Sequence, residues 1–161
     1  MKVKIYKCRN RNKRFKYLMT SWLIMILQGM NPFKKNSWSH MAMGFDGKYF
    51  DVTSAGCRER GDFFLNQYDI VGTHELELDI SIIEFYEWFN ILRDREYDYL
   101  QLAGLASKVL GFVSFNRVGS NMRRMICNEL VVSHLMKFYN LKIVDSDNWD
   151  LVMTWDKAKK H

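Results

Sequence analysis

Proline occurs once and glycine nine times in 161 residues, which excludes collagen-like and Pro/Gly low-complexity chains. Cysteine is scarce and odd in number. Cys8, Cys57 and Cys127 stand at unrelated spacings with no Cys-x-x-Cys, so neither a disulfide framework nor a thiolate zinc site is offered and a reducing compartment is predicted. The chain has no P-loop, no dinucleotide-binding glycine pattern and no His-Glu-x-x-His pair, and no cofactor or metal is expected. A long hydrophobic run is also missing. Tyr17 to Gln28 follows a basic leader as in a signal peptide, but no small-x-small cleavage site follows in Gly29–Phe33. The stretch falls short of the roughly 20 residues that span a bilayer. It reads as a buried helix, with an uncleaved signal or membrane-surface helix as the alternative.

Acidic residues are absent from the first sixteen positions, which hold Lys2, Lys4, Lys7, Arg9, Arg11, Lys13, Arg14 and Lys16. The net charge of +6 is therefore an N-terminal property. One reading is a solvated strand and turn. The other is a contact for an anionic partner, a cell-wall polymer or membrane surface ahead of nucleic acid.

What the chain does have is a globular composition, with 48% apolar, 15% aromatic and 26% charged residues. Its length fits one domain over 1–161, hiding roughly 70% of the extended chain's surface. Lys2 to Cys8 alternates like a strand, and Phe15 to Gln28 predicts a helix closed by Gly29 and Asn31-Pro32. Asp46-Gly47 between two apolar runs is a strong hairpin signal. Residues 68–83 predict one or two strands. Helices are expected over Ile82–Arg93, Leu100–Leu110 and Ile126–Tyr139, and a last strand over Asn148–Trp155. This mixed order predicts an α+β fold.

The hairpin carries the chemistry. A two-residue loop puts Phe45 opposite Lys48 and Ala42 opposite Asp51, so His40, Ala42, Tyr49, Asp51 and Thr53 share one face. His40 and Asp51 are then diagonal neighbours, close enough for a carboxylate to hold an imidazole. Small Ala42 and Gly44 are expected to leave room for a ligand. Cys127 begins the helix in Met125-Ile-Cys-Asn-Glu-Leu-Val. Unpaired N–H groups and the dipole at a helix start favour a thiolate and can hold an oxyanion. These are the parts for acyl transfer by a thiolate. Spacing alone does not bring Cys127 to His40, and a cysteine beside Ile126 and Leu130 also reads as a small buried hydrophobe. Cys57 reads as structural, His74 as a surface residue, and His134 lies two turns beyond Cys127.

Trp38-Ser-His-Met-Ala42, Tyr49-Phe-Asp-Val-Thr-Ser-Ala-Gly56, Tyr97-Asp-Tyr99 and Cys127-Asn-Glu-Leu-Val131 come in an order that resembles the circularly permuted NlpC-like, papain-fold amidases and peptidases. The resemblance spans roughly residues 20–140. It implies a papain-like fold with an antiparallel sheet packed against the Cys helix. It also implies Cys127 as nucleophile, His40 as general base, Asp51 as orienter of the imidazole and Tyr97 near the oxyanion. Asn128 stands where Ser is more usual, and Asp51 where these families commonly place Glu. The implied activity is thiol hydrolysis, or acyl transfer, at an amide or ester bond of a peptidoglycan peptide, an N-acyl or lipid amide, or an isopeptide. The expected setting is the cytoplasm of a bacterium or of an infected host cell. The alternative is an inactive papain-like module that binds an anionic partner through residues 1–16.

Overall fold

Asp46 and Gly47 adopt φ values of 48° and 72°, the left-handed pair that a two-residue hairpin needs to match the twist of its strands. The turn joins β2 (His40–Phe45) to β3 (Lys48–Thr53) with Phe45 opposite Lys48 and Ala42 opposite Asp51. The expected register therefore holds. In this computed structural model residues 1–11, 14–77, 79–97, 99, 124–139 and 156 are described. The Leu100–Leu110 helix and the Asn148–Trp155 strand lie outside them.

A second short turn carries β3 into β4 (Gly56–Arg60), with Thr53 opposite Gly56 and Tyr49 opposite Arg60. On the other side of β2 lies β1 (Lys2–Asn10), and beyond it β5 (Tyr68–Glu77). The sheet is five-stranded in the order β4-β3-β2-β1-β5, with antiparallel neighbours throughout. Among the described residues four helices accompany it: α1 (Phe15–Leu27), α2 (Phe63–Gln67), α3 (Ile82–Leu92) and α4 (Cys127–Phe138). The fold is α+β. Ser81 and Glu84 start α3 as a capping box, each side chain accepting from the other's backbone N–H, which satisfies two donors that a helix start leaves open.

Alternation along the strands gives the sheet two different faces. Ile5, Met41, Met43, Phe50 and Val52 pack with Leu130, Val131 and Leu135 of α4 and with Phe85 and Phe89 of α3. The Phe50 ring meets Phe85 at 5.1 Å and Phe89 at 4.7 Å, both edge-on. On the other face Tyr6, Cys8 and Ala42 are covered by Phe64 of α2, which stacks on Tyr49 at 4.5 Å. This corrects one expectation. Ala42 is fully buried, and a Cβ on Gly44 would meet the Lys48 carbonyl at 2.6 Å and Tyr6 Cε2 at 2.9 Å. The small residues admit Tyr6 and the neighbouring strand, not a ligand.

The basic segment is largely built into this frame. β1 is flanked on both sides rather than standing at an edge. Lys2 pairs with Glu75 at 2.9 Å, Arg11 with Asp69 at 2.8 Å, Arg9 donates to the Lys34 and Pro32 carbonyls, and Lys7 lies 5.0 Å over the Trp38 ring. His74 is half-buried in β5 opposite Ile5, not a surface residue. Among the described residues no helix is long and apolar enough to cross a membrane.

Beyond β4 the chain doubles back. Cys57 N–H donates to the Arg95 carbonyl at 2.9 Å, and Asp94 N–H to the Cys57 carbonyl at 2.8 Å. This leads into β6 (Glu96–Tyr97), which pairs in parallel with β7 (Arg124–Met125). Tyr97 lies opposite Met125, two residues before α4 begins.

Gly44→Ala tests how tightly this frame is closed. Since the carbonyl it would strike is backbone, the substitution is expected to cost about 1–3 kcal/mol of unfolding free energy. Urea denaturation measures it, and an unchanged midpoint would contradict the close approach of Tyr6 and Lys48.

Candidate active site

His40 is the first residue of β2 and Cys127 the first of α4, and the cysteine lies close enough to the imidazole to raise its pKa. His40 Nε2 also lies 3.3 Å from Asp51 Oδ2. The sheet thus brings together three of the residues singled out in the sequence. Asp51 is fully buried, while His40 and Cys127 keep 7% and 5% of their surface. The hairpin explains the His40–Asp51 contact: one residue before the Ala42–Asp51 pair on the same face is all the diagonal needs. The contact with Cys127 comes from α4, which packs across β2 and β3 and starts level with the first residue of β2.

Two groups missed in the sequence complete the site. Arg60 Nε donates to Asp51 Oδ1 at 3.1 Å, and its Nη2 donates to Thr53 Oγ1 at 2.7 Å. The Tyr68 ring stacks on the imidazole at 4.6 Å and 11°. Arg60 was discoverable. A two-residue loop at Ser54-Ala55 puts it opposite Tyr49, on the face of Asp51. No comparable signal marks Tyr68, which arrives from β5 on the far side of β1.

The electrostatics separate the titratable groups sharply. Burial acts most strongly on His40 and pulls its pKa down. The Cys127 charge, hydrogen bonds to Asp51 and Cys127 and the Asp51 charge outweigh it, raising the value to about 9. Burial, reinforced by the Asp51 charge, pushes Cys57 up to about 12 and Cys8 well above its usual value. Tyr68 is raised for the same reasons. Cys57 is buried against Arg95, in keeping with a structural role.

A cleft of about 320 Å3 opens beside the imidazole, lined by His40, Ser21, Ser39, Thr53, Tyr68 and Tyr97. Ser21 of α1 and Ser39 share a short hydrogen bond at its wall. Tyr97 borders this cleft, and its ring lies 4.8 Å from Tyr99. Among the described residues no cluster of His, Cys, Asp or Glu could hold a metal ion.

No family model, curated protein or solved structure matches this chain. The site is therefore read from its own geometry.

His134, on the same helix as Cys127, has the opposite environment. It is fully buried between Trp88 at 5.1 Å and Phe138 at 4.9 Å, and neither ring nitrogen has a hydrogen-bond partner among the described residues. Burial lowers its pKa to about 3. The two histidines give stability a pH optimum. His40, raised from 6.5 to about 9, contributes fully below pH 6.5, and its contribution is lost as pH rises through 9. His134, lowered from 6.5, is protonated only in the unfolded chain as pH falls from 6.5 toward 3, so stability drops there. Urea midpoints are expected to peak near pH 6.5, and His134→Leu to make the acid limb shallower. An acid limb as steep as the parent's would show that His134 is not charged on unfolding.

Proposed function

We propose that this chain is a cysteine hydrolase acting on an amide or ester bond, with the papain-like architecture in permuted order that its motifs resemble. The observation that carries the reading is an imidazole held between a buried carboxylate and the cysteine that begins a helix. Three features of the site favour it. His40 keeps its proton at neutral pH, as an imidazole paired with a thiolate must. Asp51 is fixed by Arg60 and does not wander from the ring. Cys127 begins α4, and a helix start leaves N–H groups open that can hold an oxyanion.

In this reading the Cys127 thiolate attacks the carbonyl carbon. A carbon–sulfur bond forms, and the carbonyl electron pair moves to oxygen, held by the backbone N–H groups at the helix start, with Tyr97 bordering the cleft. The His40 imidazolium then gives its proton to the leaving nitrogen or oxygen as that bond breaks, leaving a thioester. Neutral His40 next takes a proton from water or another acceptor, whose oxygen or nitrogen attacks the thioester and expels the thiolate. Asp51 holds the ring orientation throughout. The free thiols of Cys8, Cys57 and Cys127 fit a reducing compartment. A binding module that uses residues 1–16 for an anionic partner has less behind it, because Lys2, Lys7, Arg9 and Arg11 are already engaged within the chain.

Iodoacetamide tests the reading directly. At about pH 6 the native protein is expected to be alkylated at Cys127 and not at Cys8 or Cys57, with sites read by mass spectrometry. His40→Ala should abolish this selectivity. Against amide and ester substrates, Cys127→Ala should be inactive, His40→Ala should lose at least about 100-fold, and Asp51→Asn should lose less. Labelling of Cys127 only after denaturation, or full activity in Cys127→Ala, would refute the proposal.

A further inference from the structure

The helix between the cleft and solvent is unusually apolar on its outer side. Phe15, Met19, Leu23 and Ile26 recur at helical spacing along α1, and all four are exposed, Phe15 at 76%. Phe33, 77% exposed in the loop that follows, extends the stripe, its ring 5.2 Å from Trp22 of α1. Among the described side chains of the helix, Ser21 and Met25 are the buried ones that anchor it. A contiguous apolar patch of this kind marks an interaction surface.

The charge around it identifies the partner. Between Met1 and Phe45 the chain contains no Asp or Glu, so no acidic side chain belongs to α1 or to the segments that flank it. Exposed Arg14 precedes the stripe, and exposed Lys34 and Lys35 follow Phe33. An apolar helical face fringed by Lys and Arg is what an anionic bilayer surface takes up: side chains enter the acyl boundary while cations meet the headgroups. A second copy of the chain fits less well, because a two-fold contact would bring like charges of the same fringe together.

We infer that α1 and Phe33 dock this protein on an anionic lipid surface, lying on the membrane rather than across it. The opposite side of α1 supplies Tyr17, Thr20, Ser21 and Ile24 to the cleft. Docking therefore holds the cleft about 10 Å from the lipid, one helix diameter away. This inference stands on the exposed stripe and its charge, and it does not require the hydrolase reading.

Flotation of the full-length chain with vesicles decides it. The protein is expected to float with phosphatidylglycerol-containing vesicles, much less with phosphatidylcholine alone, and less at high salt. Leu23→Ser and Phe33→Ser should each weaken partition roughly tenfold. The double change Lys34→Glu, Lys35→Glu should weaken it about tenfold at low salt. All four positions are exposed, and circular dichroism checks that the variants keep the fold. Failure to float with phosphatidylglycerol vesicles, or flotation indifferent to both serine variants, overturns the inference. So does a dimer dissolved by Leu23→Ser, which would assign the stripe to a second copy. Protection of Leu23→Cys from a maleimide in the free native chain would mean that the chain covers its own stripe, and it overturns the inference too.

Discussion

A fully buried carboxylate at Asp51 governs the arrangement around it. An ionised carboxylate taken out of water must be compensated by hydrogen bonds and opposite charge, and removing one partner of a buried pair costs about 3–5 kcal/mol. Here the compensation comes from both sides: Arg60 of β4 on Oδ1 and His40 of β2 on Oδ2. The middle strand of three thus ties its neighbours together through one side chain. The same charge, added to burial, raises the pKa values of Cys8, Cys57 and Tyr68. Those groups stay neutral, and the field that keeps them so also holds a proton on His40. One carboxylate therefore helps to keep two thiols neutral and one imidazole charged.

The parts of this site legible in the sequence are those fixed by local chemistry. Asp46-Gly47 specifies a turn, the turn specifies a register, and the period of two then places His40 and Asp51 on one face. None of that needs information from elsewhere in the chain. The meeting of His40 with Cys127 was not legible in the same way, because it depends on how α4 lies across the sheet and on the Tyr97–Met125 pairing that feeds it. Cys127 at a helix start was readable; what stood beside it was not. The misreading of Ala42 and Gly44 has the same origin. Small side chains on a strand signal space, but what fills that space belongs to the neighbouring strand, here Tyr6 of β1. The sequence position of β1 does not announce that it is inserted between β2 and β5, and the same insertion draws its cations into pairs along the sheet.

His40 and His134 show why residue type alone carries little about role. Both are buried, and burial by itself lowers the pKa of either. At His134 nothing opposes it: the ring sits edge-on to Trp88 and tilted against Phe85 and Phe138, and the neutral form prevails. At His40 an aromatic ring again lies against the imidazole, but stacked parallel at 11°, which leaves the ring edge, where both nitrogens lie, free for Asp51 and Cys127. The orientation of the neighbouring aromatic decides whether the nitrogens face hydrocarbon or hydrogen-bond partners. From that choice follows whether the side chain holds a proton at neutral pH.

The groups given chemistry in the proposed reading stand where regular structure starts or stops, and Asp51, which meets the imidazole, stands where it continues. His40 opens β2, Cys127 opens α4 and Tyr97 closes β6. Asp51 and Arg60 lie in β3 and β4, alongside paired backbone. At an element's end the backbone still has unpaired N–H groups to offer a developing charge, and the chain leaves room for a cleft. Inside the sheet Asp51 is held between β2 and β4, and the Arg60 guanidinium at 3.1 Å fixes its carboxylate, as an orienting group requires. Such a division needs an interior acid whose charge survives burial. That is the part played by Arg60, which the short turn at Ser54-Ala55 brings onto the face of Asp51.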